Sequence, residues 1–350
     1  MPTRINRIEF MQALESVVPG LTPKAVQEQS NCFAFMDGQV KTYNEEIACS
    51  HPTKLPADLR CAVRAKELLT LVQKLPEDEI EITLEGGEFI INGKRKQAGL
   101  VCDVEISLPV EMVEPPTTWK KLDPEFSEAV DIVQNCAGKD IEKDYIFACV
   151  HIHPSWLEAC DRVQMVRYNL ETPINKPALV RRDTLKHLVA MGMVKVSETD
   201  NWIHFKNPSG LVFSCRRYLD ASYKDLTVIF AEKLKNAKPI AFPKGLSEAV
   251  EKAEIFSAEN AEKSQNKVTV ELSPGKLKLR GQGTNGWYTE TKKIAWQGER
   301  MLFTINPKLL SELVKKHNEC LITKERLKVD GGKFMYLSCL GVNETESEAA

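Results

Sequence analysis

The hydrophobic positions of this chain repeat with a helical spacing in three places. The segment SEAV occurs at 127–130 and again at 247–250. Around both copies, apolar residues recur at positions i, i+3, i+4 and i+7, which is the spacing of one buried helix face. The segment FMQALESVV near the N-terminus has the same spacing. The pattern therefore predicts helices that begin near residues 9, 125 and 245.

A second set of three helical segments follows the first set along the chain. These leucine-rich segments are RAKELLTLVQKL, RRDTLKHLVAMG and NPKLLSELVKKH, and Leu68, Leu185 and Leu310 occupy equivalent positions in them. They recur after roughly 120 residues, as the first helices do, and self-similarity at a fixed period indicates an internal repeat. Each copy of the repeat therefore contains two helices.

Between the helices, polar and apolar residues alternate with the period of a β-strand. Examples are EIEITL, LVFSCRRY, KVTVEL and KLKLRG. A Gly-Gly pair separates two such segments in LEGGEFII and again in VDGGKFMY, which is typical of a β-hairpin. The pattern predicts an α+β fold of three tandem copies, each a (βαβββ)2 repeat with two helices packed on antiparallel sheets. The predicted domains are 1–116, 117–238 and 239–350, with proline-containing connections between them.

Composition limits the classes of protein that fit this pattern. With 43% hydrophobic and 27% charged residues, the chain has the composition of a typical globular protein. Because the formal net charge is −2 at pH 7, any nucleic-acid face has to be a local one. The ten cysteines contain no CxxC pair, and scattered free thiols fit a reducing compartment. No apolar run of about 18 residues occurs, so we expect a soluble, cytoplasmic protein without a membrane partner.

One predicted strand carries side chains that could ligate a metal ion. In the segment CVHIH, Cys149, His151 and His153 share one face of that strand. No clear fourth ligand or general base stands nearby, and a strand face with partly buried side chains is the simpler interpretation. The glycine-rich segment GQGTNG leads into a strand rather than a helix, so it does not predict a phosphate site. We expect no metal, no cofactor and no enzyme activity; a metal-dependent enzyme that uses the CVHIH strand is the alternative.

The order of elements, repeated three times along the chain, resembles a known family. The last third is the most specific, with AEIFSAEN, KVTVELSPGKLKLRG, WYTETKKIAW, FTINPKLLSELV and KFMYLSCL in succession. The middle third contributes ACVHIHPSWLEACDRVQ and LDASYKDLTVIF, and the first third contributes its two helices. In these features the chain resembles the bacterial DNA polymerase III β subunit, the β sliding clamp, and a divergent, phage-type member is one form that the resemblance allows.

The resemblance implies both an assembly and a function. Two chains of a β clamp close head to tail into a six-domain ring, in which helices line the hole and sheets form the outer wall. The implied function is that of a processivity factor that encircles duplex DNA and tethers the replicative polymerase. The implied partners are double-stranded DNA, the polymerase catalytic subunit, the clamp loader and a second copy of the chain as a homodimer. A clamp-like protein that has lost ring closure is a further alternative.

The resemblance also implies a groove into which partner proteins insert a short peptide with hydrophobic anchors. The family commonly has Thr-Asp-Gly-His-Arg-Leu where this chain has CDRVQM (160–165), and prolines where Lys224 and Cys339 stand. A groove of altered shape implies that partners bind through an altered peptide motif. The alternative interpretation is that these residues are ordinary core residues of strands. Aligned onto this chain, the groove residues are Phe147, Cys160, Arg162, Val163, Gln164, Met165, Lys224, Val228, Ile229, Tyr336, Leu337, Ser338, Cys339 and Leu340.

A ring that slides has to attract phosphates without reading bases, so the candidates are cations on the solvent faces of helices. Lys66 and Lys308 occupy equivalent positions, each two residues before the aligned leucine. Acidic residues share several of these faces, and a solvated surface of mixed charge is the alternative interpretation. The candidate DNA-facing residues are Lys24, Lys66, Lys139, Arg181, Arg182, Lys186, Lys252, Lys263, Lys308 and Lys315.

Overall fold

The computed structural model describes residues 2–22, 27–114, 116, 118–138, 145–218, 223–257 and 267–340. Three candidate DNA-facing residues, Lys24, Lys139 and Lys263, lie outside these ranges. Within the ranges, the strands and helices follow the order strand, helix and three strands six times over. We refer to each copy as a βαβββ motif.

The first three motifs cover the N-terminal half of the chain. The first contains β1 (Thr3–Asn6), α1 (Arg7–Ser16), β2 (Cys32–Met36), β3 (Gln39–Tyr43) and β4 (Ile47–Pro52). The second contains β5 (Cys61–Arg64), α2 (Ala65–Lys74), β6 (Glu79–Glu85), β7 (Glu88–Asn92) and β8 (Gln97–Asp103). The third contains β9 (Lys120–Lys121), α3 (Phe126–Gln134), β10 (Cys149–His153), β11 (Trp156–Cys160) and β12 (Gln164–Asn169).

The other three motifs follow, with one short extra helix after the fourth. The fourth contains β13 (Ala178–Arg181), α4 (Arg182–Leu185), β14 (Lys195–Glu198), β15 (Trp202–Lys206) and β16 (Val212–Arg216), and α5 (Thr227–Ala231) comes next. The fifth contains β17 (Lys238–Ala241), α6 (Leu246–Ser257), β18 (Val268–Ser273), β19 (Lys276–Gly283) and β20 (Gly286–Lys293). The sixth contains β21 (Met301–Ile305), α7 (Pro307–Lys316), β22 (Glu319–Ile322), β23 (Arg326–Asp330) and β24 (Phe334–Cys339). The predicted (βαβββ)2 repeat is thereby confirmed.

The chain divides into two compact units. The first comprises Met1–Ser127, Pro173–Lys176 and Asp183–Tyr218, and the second comprises the rest. The three domain boundaries drawn from the sequence remain predictions. Among the residues that the structure describes, no helix combines the length and the apolar character needed to cross a bilayer.

A twelve-stranded antiparallel sheet runs through the first compact unit, in the order β1-β6-β7-β8-β5-β2-β3-β4-β16-β15-β14-β9. Its core includes the stacked rings of Phe10, Phe35 and Phe89, with centroids 6.0 and 5.1 Å apart. Two motifs are joined within this sheet, because the last strand of the first motif pairs with the last strand of the fourth, Cys49 opposite Phe213. We call such a pairing of last strands a motif joint.

The second compact unit contains an eight-stranded and a four-stranded antiparallel sheet. The eight-stranded sheet has the order β13-β10-β11-β12-β24-β23-β22-β17, and the four-stranded sheet has the order β20-β19-β18-β21. The eight-stranded sheet contains a second motif joint, in which the last strands of the third and sixth motifs pair and Val166 lies opposite Tyr336. The same kind of joint therefore occurs twice, once in each unit.

Local sequence signals set the starts of the helices. Asn6 caps α1 by accepting the Glu9 N–H at 3.0 Å, and Asn306 caps α7 by accepting the Lys308 N–H at 2.9 Å. Pro307 follows at the first helical position, where its missing N–H costs no hydrogen bond. The three first helices begin at 7, 126 and 246, close to the predicted positions.

The two SEAV segments have the same role in their repeats. Ser127 donates a hydrogen bond to the Val189 carbonyl at 2.8 Å, and Ser247 Oγ lies 3.1 Å from Ser311 Oγ. In both cases the serine of a first helix contacts the segment of the second helix in the same third of the chain. The repeated sequence therefore has a repeated structural role.

One predicted helix is shorter than its two counterparts. The segment RRDTLKHLVAMG forms only α4, followed by a 3-10 turn at Lys186–Ala190. The Met191 N–H donates to the Leu188 carbonyl, and Gly192 has a φ of +59°, so the segment ends in a tight turn.

Glycine at one strand position allows a helix to lie close to its sheet. A Cβ atom on Gly281 of β19 would lie only 1.9 Å from the Ala253 carbonyl oxygen of α6. Real Cβ atoms do not approach backbone oxygens this closely, so only glycine fits at this contact. The seating of α6 on the four-stranded sheet therefore depends on Gly281.

Candidate partner-binding groove

The second motif joint places residues from distant parts of the sequence on one sheet face. Cys160 lies opposite Met165, and Met165 lies opposite Leu337. Directly paired residues of antiparallel strands point to the same face. One face of the eight-stranded sheet therefore carries Cys160, Met165 and Leu337, and we call it the α5 face because α5 lies over it.

An apolar cluster joins α5 to this face. Leu226 and Phe230 are buried against Cys160, and Phe147, Met165 and Met335 pack around them half-buried. The other side of the helix remains open to solvent: Val228 is 79% exposed and Ile229 is 38% exposed. Large apolar side chains beside a half-buried apolar cluster are typical of a binding surface.

Charged and polar residues lie at the rim of this surface. Arg162 has a φ of +76°, and its guanidinium lies 5.3 Å from the centroid of the Phe147 ring. Lys224, Val163 and Cys339 are exposed, and the Cys339 N–H donates to the Val163 carbonyl at 2.7 Å. The surface therefore combines an apolar floor with cationic side chains.

Three of the residues predicted for the groove lie on the opposite sheet face. Gln164, Tyr336 and Ser338 alternate with the α5-face residues along β12 and β24, and all three are buried. The Tyr336 hydroxyl donates to Gln164 Oε1 at 3.1 Å, and Gln164 Nε2 donates to Asp161 Oδ2 at 2.9 Å. Burial raises the pKa of Asp161, although hydrogen bonds from backbone N–H groups oppose this shift.

The predicted residue Leu340 is also buried, and its N–H donates to the Glu325 carbonyl at 2.7 Å. The structure thus brings together at or beside the α5 face Phe147, Cys160, Arg162, Val163, Met165, Lys224, Val228, Ile229, Leu337 and Cys339. Membership of the groove remains a prediction for all fourteen residues.

No protein-family model and no curated protein matches this chain by sequence. Solved structures match it over nearly its whole length. A sliding clamp (DNA polymerase III subunit beta) from Pseudomonas aeruginosa bound to griselimycin superposes with a TM-score of 0.77 at 14% identity, covering 98% of this chain and 100% of its own. The β chain from Streptococcus pneumoniae has a TM-score of 0.76 at 17% identity, covering 98% of this chain and 100% of its own. The β subunit from Thermotoga maritima has a TM-score of 0.72 at 16% identity, covering 98% of this chain and 99% of its own. The chain has the sliding-clamp fold.

Within this clamp fold, both histidines of the CVHIH strand contact other side chains or backbone groups. Cys149, His151 and His153 do share one face, but His151 Nδ1 lies 3.3 Å from Glu158 Oε1, and His153 Nδ1 accepts the Ser155 N–H at 3.1 Å. The His153 ring also stacks on the Trp156 ring, and the two ring centroids are 3.5 Å apart. Over the described ranges, no group of three or more His, Cys, Asp or Glu side chains could hold a metal ion. The alternative of a metal-dependent enzyme is not supported.

The candidate DNA-facing cations of the clamp fold differ in their surroundings. Lys66 and Lys308 are exposed near the starts of α2 and α7, and neither forms an ion pair with any residue that the structure describes. Arg181 is half-buried at the end of β13, opposite Cys149. The four other described candidates form ion pairs or hydrogen bonds: Lys186 with Asp183 at 3.2 Å, Lys252 with Glu290 at 3.8 Å, Lys315 with Glu251 at 3.0 Å, and Arg182 with the Ala137 carbonyl at 2.5 Å.

The α5 face also carries a buried ion pair that the sequence pattern does not predict. Arg167 Nε donates to Glu158 Oε2 at 2.7 Å, and both side chains are at least 95% buried. Glu158 stands inside the otherwise apolar segment WLEAC, and Arg167 follows the apolar pair Met165 and Val166 in QMVRYN. Because an isolated buried charge is very costly, a charge at an inward strand position indicates a partner. That signal was present in the sequence, but it did not identify the partner.

Proposed function

We propose that this chain is a sliding clamp, a non-enzymatic processivity factor that encircles duplex DNA and tethers a DNA polymerase. The observation that carries the proposal is the likeness to bacterial polymerase III β subunits over 98% of the chain. The six βαβββ motifs support it, because they account for the described strands and for every described α-helix except α5. The proposed partners are duplex DNA, the polymerase catalytic subunit, the clamp loader and a second copy of this chain.

The motif joints indicate how a second copy would close the ring. Two joints lie within the chain, between the first and fourth motifs and between the third and sixth. The last strands of the second and fifth motifs, β8 and β20, are not paired with each other in the described chain, so these two motifs lack the equivalent joint. We infer that β20 of one copy pairs with β8 of the other, which gives a head-to-tail contact that closes by symmetry.

Exposed apolar side chains at both strands support this joint. Val101 of β8 is 81% exposed and Trp287 of β20 is 62% exposed. Ile255 of α6 is also largely exposed, and Phe256 packs near Gly286 at the start of β20. The edge of β8 from Gln97 to Val101 is open, because β5 pairs only with its last two residues. Open strand edges with large apolar side chains are suited to pairing with another chain.

Attraction to DNA would come from cations that contact phosphates and not bases. The exposed Lys66 and Lys308 stand at matching positions of two motifs, which suits a contact repeated around a ring. Each neutralised phosphate should contribute a slope of about −0.9 to log K against log salt concentration. Lys186, Lys252 and Lys315 would contribute less, because carboxylates within 4 Å already neutralise part of their charge.

The decisive experiment tests topological binding. The protein is loaded onto a nicked circular plasmid with a clamp loader and ATP, and the complex is isolated by gel filtration. A sliding clamp should remain on the circle and should leave when a restriction enzyme linearises the plasmid, since it can then slide off the ends. Equal retention on circular and linear DNA, or a strictly monomeric mass at micromolar concentration, would overturn the proposal.

A second experiment tests the groove separately from the ring. Overlapping 15-residue peptides that tile the DNA polymerase of the same genome are titrated against the wild-type chain and against Ile229→Asp. The aspartate should abolish binding, because truncation of an apolar anchor already costs about 1–3 kcal/mol. The dimer should persist, because the inferred joint uses β8 and β20. Simultaneous loss of the dimer would show that Ile229 supports the fold instead.

A further inference from the structure

A buried network connects the α5 face of the sheet to α5 itself. Arg167 of β12 donates from Nη1 to Thr227 Oγ1 at the start of α5 at 3.0 Å, and its Nη2 lies 3.7 Å from Asp225 Oδ1. Its guanidinium also lies 4.3 Å from the Trp156 ring centroid and 5.0 Å from that of Phe230. A single side chain therefore contacts the sheet on one side and the α5 segment on the other.

Contacts with residues of the sheet fix the orientation of the Arg167 side chain. Glu158 lies directly opposite Arg167 on β11 and accepts its Nε–H at 2.7 Å. The other oxygen of Glu158 lies 3.3 Å from His151 Nδ1, and the His151 ring lies 4.2 Å from the Tyr223 ring. A planar guanidinium held between a carboxylate and aromatic rings has little freedom to reorient.

The α5 helix depends on such contacts, because it cannot be stable alone. It has five residues, far fewer than an isolated helix needs in water. Its other attachments include the apolar cluster around Phe230, the Lys328 ammonium, which donates to the Phe230 carbonyl at 2.7 Å and to the Glu232 carbonyl at 3.2 Å, and Arg326, which donates to Glu232 Oε2 at 2.7 Å. Lys328 holds the end of α5, and Arg167 holds its beginning.

We propose that Arg167 is a positioning residue of the partner groove: by holding Thr227 and Asp225 it fixes α5, and thereby sets where Val228 and Ile229 meet a bound peptide. The inference rests on the proposed function of the groove. A groove whose α5 segment is already ordered binds a peptide more tightly than one in which α5 has to become ordered on binding, because ordering costs free energy that weakens the net binding. Arg167 would act without touching the peptide.

A purely structural role for the ion pair predicts a different outcome. Buried ion pairs often contribute little net stability, since desolvation offsets their attraction. Replacing both partners by leucine, in Glu158→Leu with Arg167→Leu, should therefore leave the sheet folded. The double variant nevertheless lacks the contacts to Thr227 and Asp225, so it separates the positioning of α5 from the stability of the sheet.

The experiment measures hydrogen exchange of the full-length chain at the Ile229 and Phe230 amides, which both donate to the Leu226 carbonyl at 3.0 Å. Arg167→Met, the double leucine variant and the milder Thr227→Val should each speed exchange there, by about tenfold for Arg167→Met. The matched control is Arg217→Met, which removes a buried arginine that lies 3.2 Å from Glu198 in the first compact unit. The control should leave exchange in α5 unchanged.

Peptide titration completes the test. For any tiled polymerase peptide that binds the wild-type chain, Arg167→Met should raise Kd by about tenfold, mainly through faster dissociation. If no peptide binds the wild-type chain, the proposed function of the groove fails, whereas the exchange data still decide whether Arg167 positions α5. Unchanged exchange at Ile229 and Phe230 in all three variants would overturn the inference.

Discussion

His204 Nδ1 lies 2.8 Å from Ser214 Oγ on the neighbouring strand, and the imidazole is completely buried in the first compact unit. Its Nε2 lies 3.3 Å from Thr199 Oγ1, so hydroxyl groups face both ring nitrogens. Burial lowers the pKa of His204 to about 4, and the nearby Glu114 carboxylate opposes this shift only partly. The neutral imidazole is therefore part of the folded structure at neutral pH.

This histidine should make the stability of the protein depend on pH. In the unfolded chain the pKa returns to about 6.5, so the unfolded state binds an extra proton between pH 6.5 and pH 4. Stability should fall as the pH is lowered through this window, by about 2 kcal/mol between pH 7 and pH 5 from this group alone. Urea unfolding at several pH values checks the slope, and His204→Asn should flatten it. An equal slope in the variant would assign the dependence to other groups.

Gly281→Ala should destabilise the second compact unit. Its added Cβ would lie 1.9 Å from the Ala253 carbonyl oxygen, and this backbone atom cannot move without shifting α6. We expect a loss of about 3 kcal/mol, at the upper end for overpacking, in urea unfolding. Gly138→Ala is the matched control, because its nearest atom, the Phe147 carbonyl oxygen, would lie 3.4 Å away. Equal losses in both variants would contradict the role given to this contact.

Cys339 should be the cysteine that reacts first in the native protein. All ten thiols are free, and nine are buried. Burial raises the pKa of Cys160 to about 11 and that of Cys320 to about 12, which leaves little thiolate near neutral pH. Brief iodoacetamide treatment should add one group per chain by mass spectrometry, and Cys339→Ser should add none. A polymerase peptide bound in the proposed groove should slow the reaction, because Cys339 lies beside the α5 face.

Trp287→Asp and Val101→Asp should each weaken the proposed dimer. A charge placed in an apolar joint costs about 2 kcal/mol or more at a central position, so the dimer Kd should rise by at least about thirtyfold. Sedimentation at micromolar concentration measures the mass. Leu321→Asp is the control, since Leu321 is an exposed leucine on β22, which pairs with neither β8 nor β20. A dimer of unchanged strength in both variants would place the interface elsewhere.

The repeat could be predicted from the sequence because every motif has to bury its own apolar face. The spacing around Ser127 and Ser247 is therefore visible without any tertiary information. The Gly-Gly hairpins were predictable for a similar reason: Gly86 and Gly87 both have positive φ values, which glycine alone adopts readily.

The α5 helix could not be predicted, because its stability comes from distant residues. The segment TVIFA is too short for a helical period, and its contacts come from Arg167, 60 residues earlier, and Lys328, 98 residues from Phe230. The sheet face on which each predicted groove residue lies could not be predicted either. It depends on the register between β12 and β24, which places Gln164 and Tyr336 on one side and Met165 and Leu337 on the other.

The motif joints also determine where a ring of this chain would open. The joints at Cys49–Phe213 and Val166–Tyr336 connect segments of one polypeptide, so dilution cannot separate their strands. The inferred joint between β20 and β8 connects two polypeptides, and its occupancy depends on protein concentration. In the proposed ring, the joint between chains would therefore be the one that opens to admit DNA.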